Sequence, residues 1–301
     1  MISSLLLVTL VAVYQLPFVF SFSSPNSLSV SSLIETHSEK ISSLKNVVQK
    51  FDGDAPSDDM FYLRYCLGNE STSESLERIE ATMKWRNGKG KTICDSAKSA
   101  VDSAVANPSS WDNNLIRDLA PYATTVNEYI STEQCIAVST RRGDLCYCIR
   151  AGKIDDVTLM SKITLEQMTD YFLYCREVNA LVANMRSLKT DRVVNLLTAN
   201  DLTGVKLIGG DASFRQALSA ASKISNDLYP NLTGPTLLLN LPRLLGALVK
   251  LFTPLFPSEV RKKLKFVRGP LKDIDDLIHI APGGKAREEF LNELDQIVYN
   301  D

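Results

Sequence analysis

Histidine and tryptophan occur only twice each in 301 residues. The two histidines, His37 and His279, lie near opposite ends of the chain, so a paired-His metal site within one chain is not available. The sequence has no G-x-S-x-G elbow, no P-loop, no G-x-G-x-x-G and no H-E-x-x-H, which removes the common hydrolase, nucleotide-binding and metalloprotease signatures. The Asp-rich stretch FDGDAPSDD lacks the ligand spacing and terminal Glu of an EF-hand and reads as a turn into a helix N-terminus. Six cysteines are too sparse for a disulfide scaffold. Cys146 and Cys148 sit two apart on a predicted strand and so share a face. No second pair completes a zinc site, and they read as structural thiols. Excess charge is also missing. Thirty-three Lys and Arg against thirty-five Asp and Glu leave −2, unlike the strong basic excess of a dedicated nucleic-acid binder.

What is present is ordinary globular composition, 45% hydrophobic and 23% charged. The length suits about two domains, each able to bury a core. Leu5 to Phe20 is an apolar run interrupted by Thr9, Gln15 and Pro17, shorter than the roughly 20 residues of a membrane span. It suits the core of a signal peptide, with Val19 and Ser21 at −3 and −1 of a cut before Phe22, although residues 1–4 carry no Lys or Arg. An uncleaved anchor and a buried helix are the other readings of this run. FSSPNSLSVSSLI follows, with six Ser and no acid before Glu35, a low-complexity composition that predicts disorder. A signal core, then Phe, then a Ser-rich, acid-poor stretch resembles the bipartite presequences of algae with complex plastids. Entry into the secretory pathway is therefore expected, with a complex plastid as one destination and the endoplasmic reticulum or the exterior as the other.

From Leu33 to Ile136 the pattern is helical. Leu33, Ile34, Ile41, Leu44, Val47 and Val48 recur at helical spacing. Ser57, Asp58 and Asp59 are good first-turn residues for MFYLRYCLG, and a helix from about Ser73 to Arg86 stops at Asn87-Gly88. Another begins near Ile93. After Gly143 the texture changes. LCYCIRAG, VVNLLTAN, TLLLN and LKFV read as strands, separated by helices over TLEQMTDYFLYCREVNALVANM and about Asp211 to Leu228. Strands alternating with long helices predict an α/β fold with a mainly parallel, helix-covered sheet.

Residues 236–256, TLLLNLPRLLGALVKLFTPLF, are the most apolar stretch of this region. Arg243 and Lys250 would each cost about 2.5–3.5 kcal/mol at a bilayer centre, and Pro242, Pro254 and Asn240 break the segment further, so a single span is disfavoured. A strand followed by an apolar helix fits better. Leu244, Leu245, Ala247, Leu248, Val249, Leu251 and Phe252 surround that helix almost completely, so it must be buried on both sides or face something apolar other than water. Arg261, Lys262, Lys263, Lys265 and Arg268 follow with no acid among them. Such a run is either a solvated face or an attachment to an anionic surface, where each basic residue contributes about 1 kcal/mol.

The order of these signals resembles the CRAL-TRIO lipid-binding domain with its preceding helical domain. YLRYCLG followed by MKWRN is similar to the family's N-terminal helix pair. RRGDLCYCIRAGKID resembles the Gly turn, first strand and Gly-Lys, and ANDLTGVKL resembles the Asp-Leu-x-Gly segment. DLYPNLTGPTLLLNLPRLLGALVKLFTPLFPSEVRKKLKFV is the most specific match, and the resemblance spans roughly residues 58–290. Together with the N-terminal readings, a signal peptide at 1–21 and a Ser-rich targeting or linker segment at 22–32, it implies a helical domain at 33–130 and the lipid domain at 131–301. It also implies an apolar cavity closed by a gate helix, here Leu244, Leu245, Leu248, Val249, Leu251, Phe252, Leu255 and Phe256. Headgroup or membrane contacts fall to Lys263, with Arg261, Lys262, Lys265 and Asn231. Members that bind phosphatidylinositol place Glu directly after Tyr-Pro, where this chain has Asn231, and a second Arg in the N-terminal motif, near Leu67 here.

The expected activity is non-enzymatic binding and intermembrane transfer of a phospholipid or isoprenoid-type lipid. It requires no cofactor, metal or nucleic acid, and involves a monomer in transient contact with anionic membranes. A lipid-sensing regulatory or scaffold module is the alternative.

Overall fold

The computed structural model describes residues 29–51, 56, 58–106, 113–130, 135–139, 145–202, 210–240 and 264–267. The first half is helical: α1 (Val30–Thr36), α2 (Ser38–Val48), α3 (Asp59–Gly68), α4 (Thr72–Asn87), α5 (Lys91–Ala106), α6 (Asn113–Asp118) and α7 (Ala123–Tyr129). Helical order begins three residues before the predicted Leu33, inside the Ser-rich stretch. Ser29 caps α1 by accepting from Ser32 N, and Ser31 N donates to Asp191 Oδ1 at 2.8 Å. The serines that made this stretch look unstructured are here the capping groups that start a helix.

Asp58 caps α3 by accepting from Phe61 N at 2.8 Å, and seven consecutive residues from Met60 to Cys66 are buried. A helix buried on all sides has no solvent face, so α3 is the centre of a first core with Leu44, Ile79 and Met83. A second core holds Ile93, Val101, Ile116 and Val126 of α5–α7 together with residues of the sheet and its helices. Gly90 lies under the Trp85 ring, where a Cβ would stand 2.4 Å from ring carbons, so only glycine permits the turn between α4 and α5 to close.

The second half contains β1 (Cys135–Ser139), β2 (Leu145–Arg150), a 3₁₀ turn, α8 (Asp156–Met160), α9 (Leu165–Thr190), β3 (Leu196–Asp201), α10 (Ala212–Leu228), β4 (Thr233–Leu239) and β5 (Leu264–Val267). The sheet order is β1-β2-β3-β4-β5. Only β1 runs antiparallel to its neighbour, in accord with the predicted mainly parallel sheet. The pairing of β3 with β4 slips between Leu196 and Thr198. Pro235 has no N–H for the ladder, and Gly234-Pro235 forms the extra residue of this bulge. Thr164 starts α9 with a full capping box to Gln167, and Asp211 starts α10 by accepting from Ser213 N and Phe214 N.

Polar ties join the N-terminal helices to this layer. Arg64, buried on α3, donates to Asn184 Oδ1 (2.6 Å), Val194 O (2.7 Å) and Asn231 O (2.7 Å). Tyr65 Oη bonds Leu228 O at 2.9 Å, and Arg78 reaches Asn226 O. Gly68 packs on Pro230 so closely that a Cβ would lie 2.5 Å from the proline Cβ.

Candidate functional site

Among the described residues, α9 and α10 frame a partly open cavity of about 90 Å³ against the sheet. Helix α9 contributes Phe172, Cys175, Arg176 and Asn179, a spacing of i, i+3, i+4 and i+7 that places them on one face. Helix α10 contributes Leu218, Ala221, Ser222 and Ser225 by the same periodicity. Tyr147 of β2, Thr198 and Asn200 of β3, and Thr236 of β4 form the floor. Register places Tyr147 beside Thr198 and Thr198 beside Thr236, so these three span adjacent strands in one row. The bulge at Gly234-Pro235 keeps both Thr233 and Thr236 on the cavity side. Apolar Phe172 and Leu218 thus share a small space with an unusual density of hydroxyl and amide groups.

Arg176 is the charged group of this wall. It keeps some accessible surface because it faces the void, although protein surrounds it. Its Nη1 is buried with no hydrogen-bond partner. Burial pushes its pKa below the ordinary guanidinium value, yet an arginine does not lose its proton in a protein. Glu177, the next residue, faces elsewhere and is 1% exposed. It accepts from Arg86 Nη1 and Nη2 at 2.9 and 2.8 Å, a two-point ion pair. Burial opposes the Arg86 charge, but Glu177 overrides it and the Arg86 pKa rises. Burial, and secondarily the Glu177 charge, pushes the Tyr229 phenol well above its usual range. Its hydroxyl lies near Glu177 without a well-directed bond. Asn200 Nδ2 is likewise buried without a partner.

Of the gate, headgroup and membrane residues singled out from the sequence, only Lys265 and Asn231 are among the described residues. Leu244, Leu245, Leu248, Val249, Leu251, Phe252, Leu255, Phe256, Arg261, Lys262 and Lys263 lie outside the described residues. Lys265 is in β5, in register with Leu237 of β4. Asn231 occupies the turn between α10 and β4 with φ +55°. Its carbonyl accepts from Arg64 Nη1 and from Asn195 Nδ2 (2.9 Å), and its Oδ1 is buried without a partner. Sequence reasoning passed over Arg176, Asn200 and the hydroxyl row. The one available signal was a charged pair, Arg176-Glu177, inside an otherwise apolar helical run. Adjacent helical residues point about 100° apart, so the pair could not be bonded to itself, but nothing local says which member finds a partner.

Among the described residues no helix is long and apolar enough to cross a membrane, and no group of three or more His, Cys, Asp or Glu is placed to hold a metal ion. Cys66, Cys94 and Cys175 are in no disulfide. Burial raises Cys66 to about 11 and Cys94 to about 12, the opposite of an activated nucleophile.

No curated protein matches the sequence. The crystal structure of Sfh5 is similar at 14% identity, covering 94% of this chain and 100% of that one, with a TM-score of 0.47. The profile of the CRAL/TRIO domain matches residues 133–280, which take in every strand described above and both helices of the cavity. Residues 133–280 therefore form a CRAL/TRIO domain, a lipid-binding domain.

Proposed function

We propose that this protein binds a single phospholipid or other hydrophobic lipid and carries it between membranes without breaking a bond. The observation that carries the reading is the partly open cavity between α9, α10 and the sheet, within the matched CRAL/TRIO domain. An acyl chain leaves water at about 0.8 kcal/mol per buried CH₂, so a lipid in solution requires an enclosed apolar site. The cavity of about 90 Å³ has room for several waters and accepts a headgroup-sized moiety. In this reading the acyl chains lie against the apolar segment Leu244 to Phe256, which opens at a membrane. The basic residues Arg261, Lys262, Lys263 and Lys265 dock the protein on anionic lipid.

Mass spectrometry of lipids co-purifying with the protein, joined to a transfer assay between donor and acceptor vesicles, tests this. Stoichiometric lipid and protein-dependent transfer are expected. Stoichiometric lipid without transfer assigns the chain to the sensing alternative. Absence of any bound lipid rejects both readings.

A further inference from the structure

Arg176 projects from α9 onto the wall of the cavity, yet among the described residues it has no carboxylate partner and its Nη1 makes no hydrogen bond. The side chains whose fields reach it are Tyr147, Tyr229 and Cys175, two phenols and a thiol rather than an acid. The acid next to it in sequence is committed, because Glu177 is held at two points by Arg86. A buried guanidinium cannot shed its proton, and leaving it unpaired is strongly unfavourable. A protein that keeps one beside an open volume has a place for an anion that arrives with a ligand.

The rest of the wall suits the same guest. Asn200 Nδ2 is a second buried donor without a partner, and the hydroxyls of Thr198, Ser222 and Thr236 line the same space. The volume of about 90 Å³ fits a carboxylate or phosphate group with a water or two. Guanidinium forks match such oxyanions in geometry as well as charge.

We infer that this cavity is an oxyanion site, in which Arg176 and Asn200 hold the carboxylate or phosphate of the ligand. The inference deepens the lipid-binding reading and rests on it for one point, the source of the anion. The source is a lipid headgroup if lipid binds here, and a free anion such as phosphate if none does. It is separate from the basic run at 261–268, which faces the membrane in that reading.

The test uses the full chain and vesicles containing equal amounts of phosphatidylcholine and phosphatidic acid. Lipid captured by the protein is quantified for the wild type, Arg176→Met, Arg176→Lys and the exposed-site control Lys84→Met. Thermal unfolding of lipid-free protein is followed with and without inorganic phosphate. The captured ratio of phosphatidic acid to phosphatidylcholine should favour phosphatidic acid in the wild type. It should fall about tenfold or more in Arg176→Met, the loss expected for one charge-assisted contact. Arg176→Lys should keep part of the preference and Lys84→Met all of it. Arg176→Met should unfold at or above the wild-type temperature without anion, since it removes an unpaired buried charge. If no lipid is captured but phosphate stabilises the wild type and not Arg176→Met, the oxyanion site stands and the lipid reading falls. If lipid is captured with the same ratio by the wild type and both Arg176 variants, the oxyanion site is rejected and lipid binding stands. If phosphate also stabilises neither protein and no lipid is captured, both are rejected.

Discussion

At the scale of single residues, two arginines on neighbouring elements show how burial and partnership separate structure from function. Arg86 lies under the Phe61 ring at 5.9 Å from its centroid and spends its charge on Glu177. Their side chains are 11% and 2% exposed, so solvent screens the pair little. Glu177→Ala leaves Arg86 buried and alone and should cost about 3–5 kcal/mol. The double change Arg86→Met with Glu177→Met should recover most of that loss, because removing both charges also removes their desolvation. Urea unfolding of the three variants checks this. A single-variant loss of under about 1 kcal/mol, the size of a surface pair, would show that the ion pair is more solvated than its geometry indicates. Arg176 has the burial without the partner, and that difference gives it a candidate role.

At the scale of elements, caps and breaks explain most boundaries. The Thr164 capping box begins the 26-residue α9, and the bulge at Gly234-Pro235 lets β4 offer Thr233 and Thr236 to one space. The predicted gate belongs to this scale. Leu248→Asp or Phe252→Asp places a carboxylate where the proposal requires apolar contact, and vesicle transfer should slow about tenfold or more. Folded variants that transfer at the wild-type rate would show that this segment is not the gate. In the proposed reading the basic run divides by role. Lys263→Ala should weaken capture of an anionic phospholipid about tenfold even at high salt, as a partly desolvated contact would. Arg261→Ala and Lys262→Ala should reduce docking to anionic vesicles only at low salt, because exposed charges are screened within about a Debye length. Identical salt dependence for all three would leave only a nonspecific surface patch.

At the scale of the whole molecule, the polar ties from Arg64, Tyr65 and Arg78 make the N-terminal helices part of the frame around α9 and α10. The same network bears on compartment. Two glycosylation sequons begin at Asn69 and Asn231. Asn69 is 3% exposed, its Nδ2 donates to Tyr65 O at 2.9 Å and its Oδ1 accepts from Arg78, so a glycan there is incompatible with the fold. If the chain enters the secretory pathway, N-terminal sequencing should find the mature protein beginning near Phe22 or later, and peptide mapping should find Asn69 unmodified. An intact Met1 on protein from the cytosol would overturn the targeting reading. A glycan on Asn69 of folded protein would overturn the burial argument.

The sequence alone determined the order of elements over most of the chain. Helices α2 to α5, α9 and α10 and strands β2 to β5 follow from apolar periodicity, caps and breakers, all of which act within a few residues. It also pointed to the CRAL/TRIO domain, because five motifs fall in one order. It missed β1, whose five residues are ordered by pairing with β2 rather than by any strong local signal. It also misplaced the start of α1, since serines read equally as linker and as cap. Only the tertiary structure decided which charge of the Arg176-Glu177 pair is satisfied. Helical geometry sends the two side chains in different directions. What each then meets, Arg86 on one side and a cavity floored by three strands on the other, comes from elements tens of residues away in sequence. Pairing and burial are properties of that packing, and no local pattern carries them.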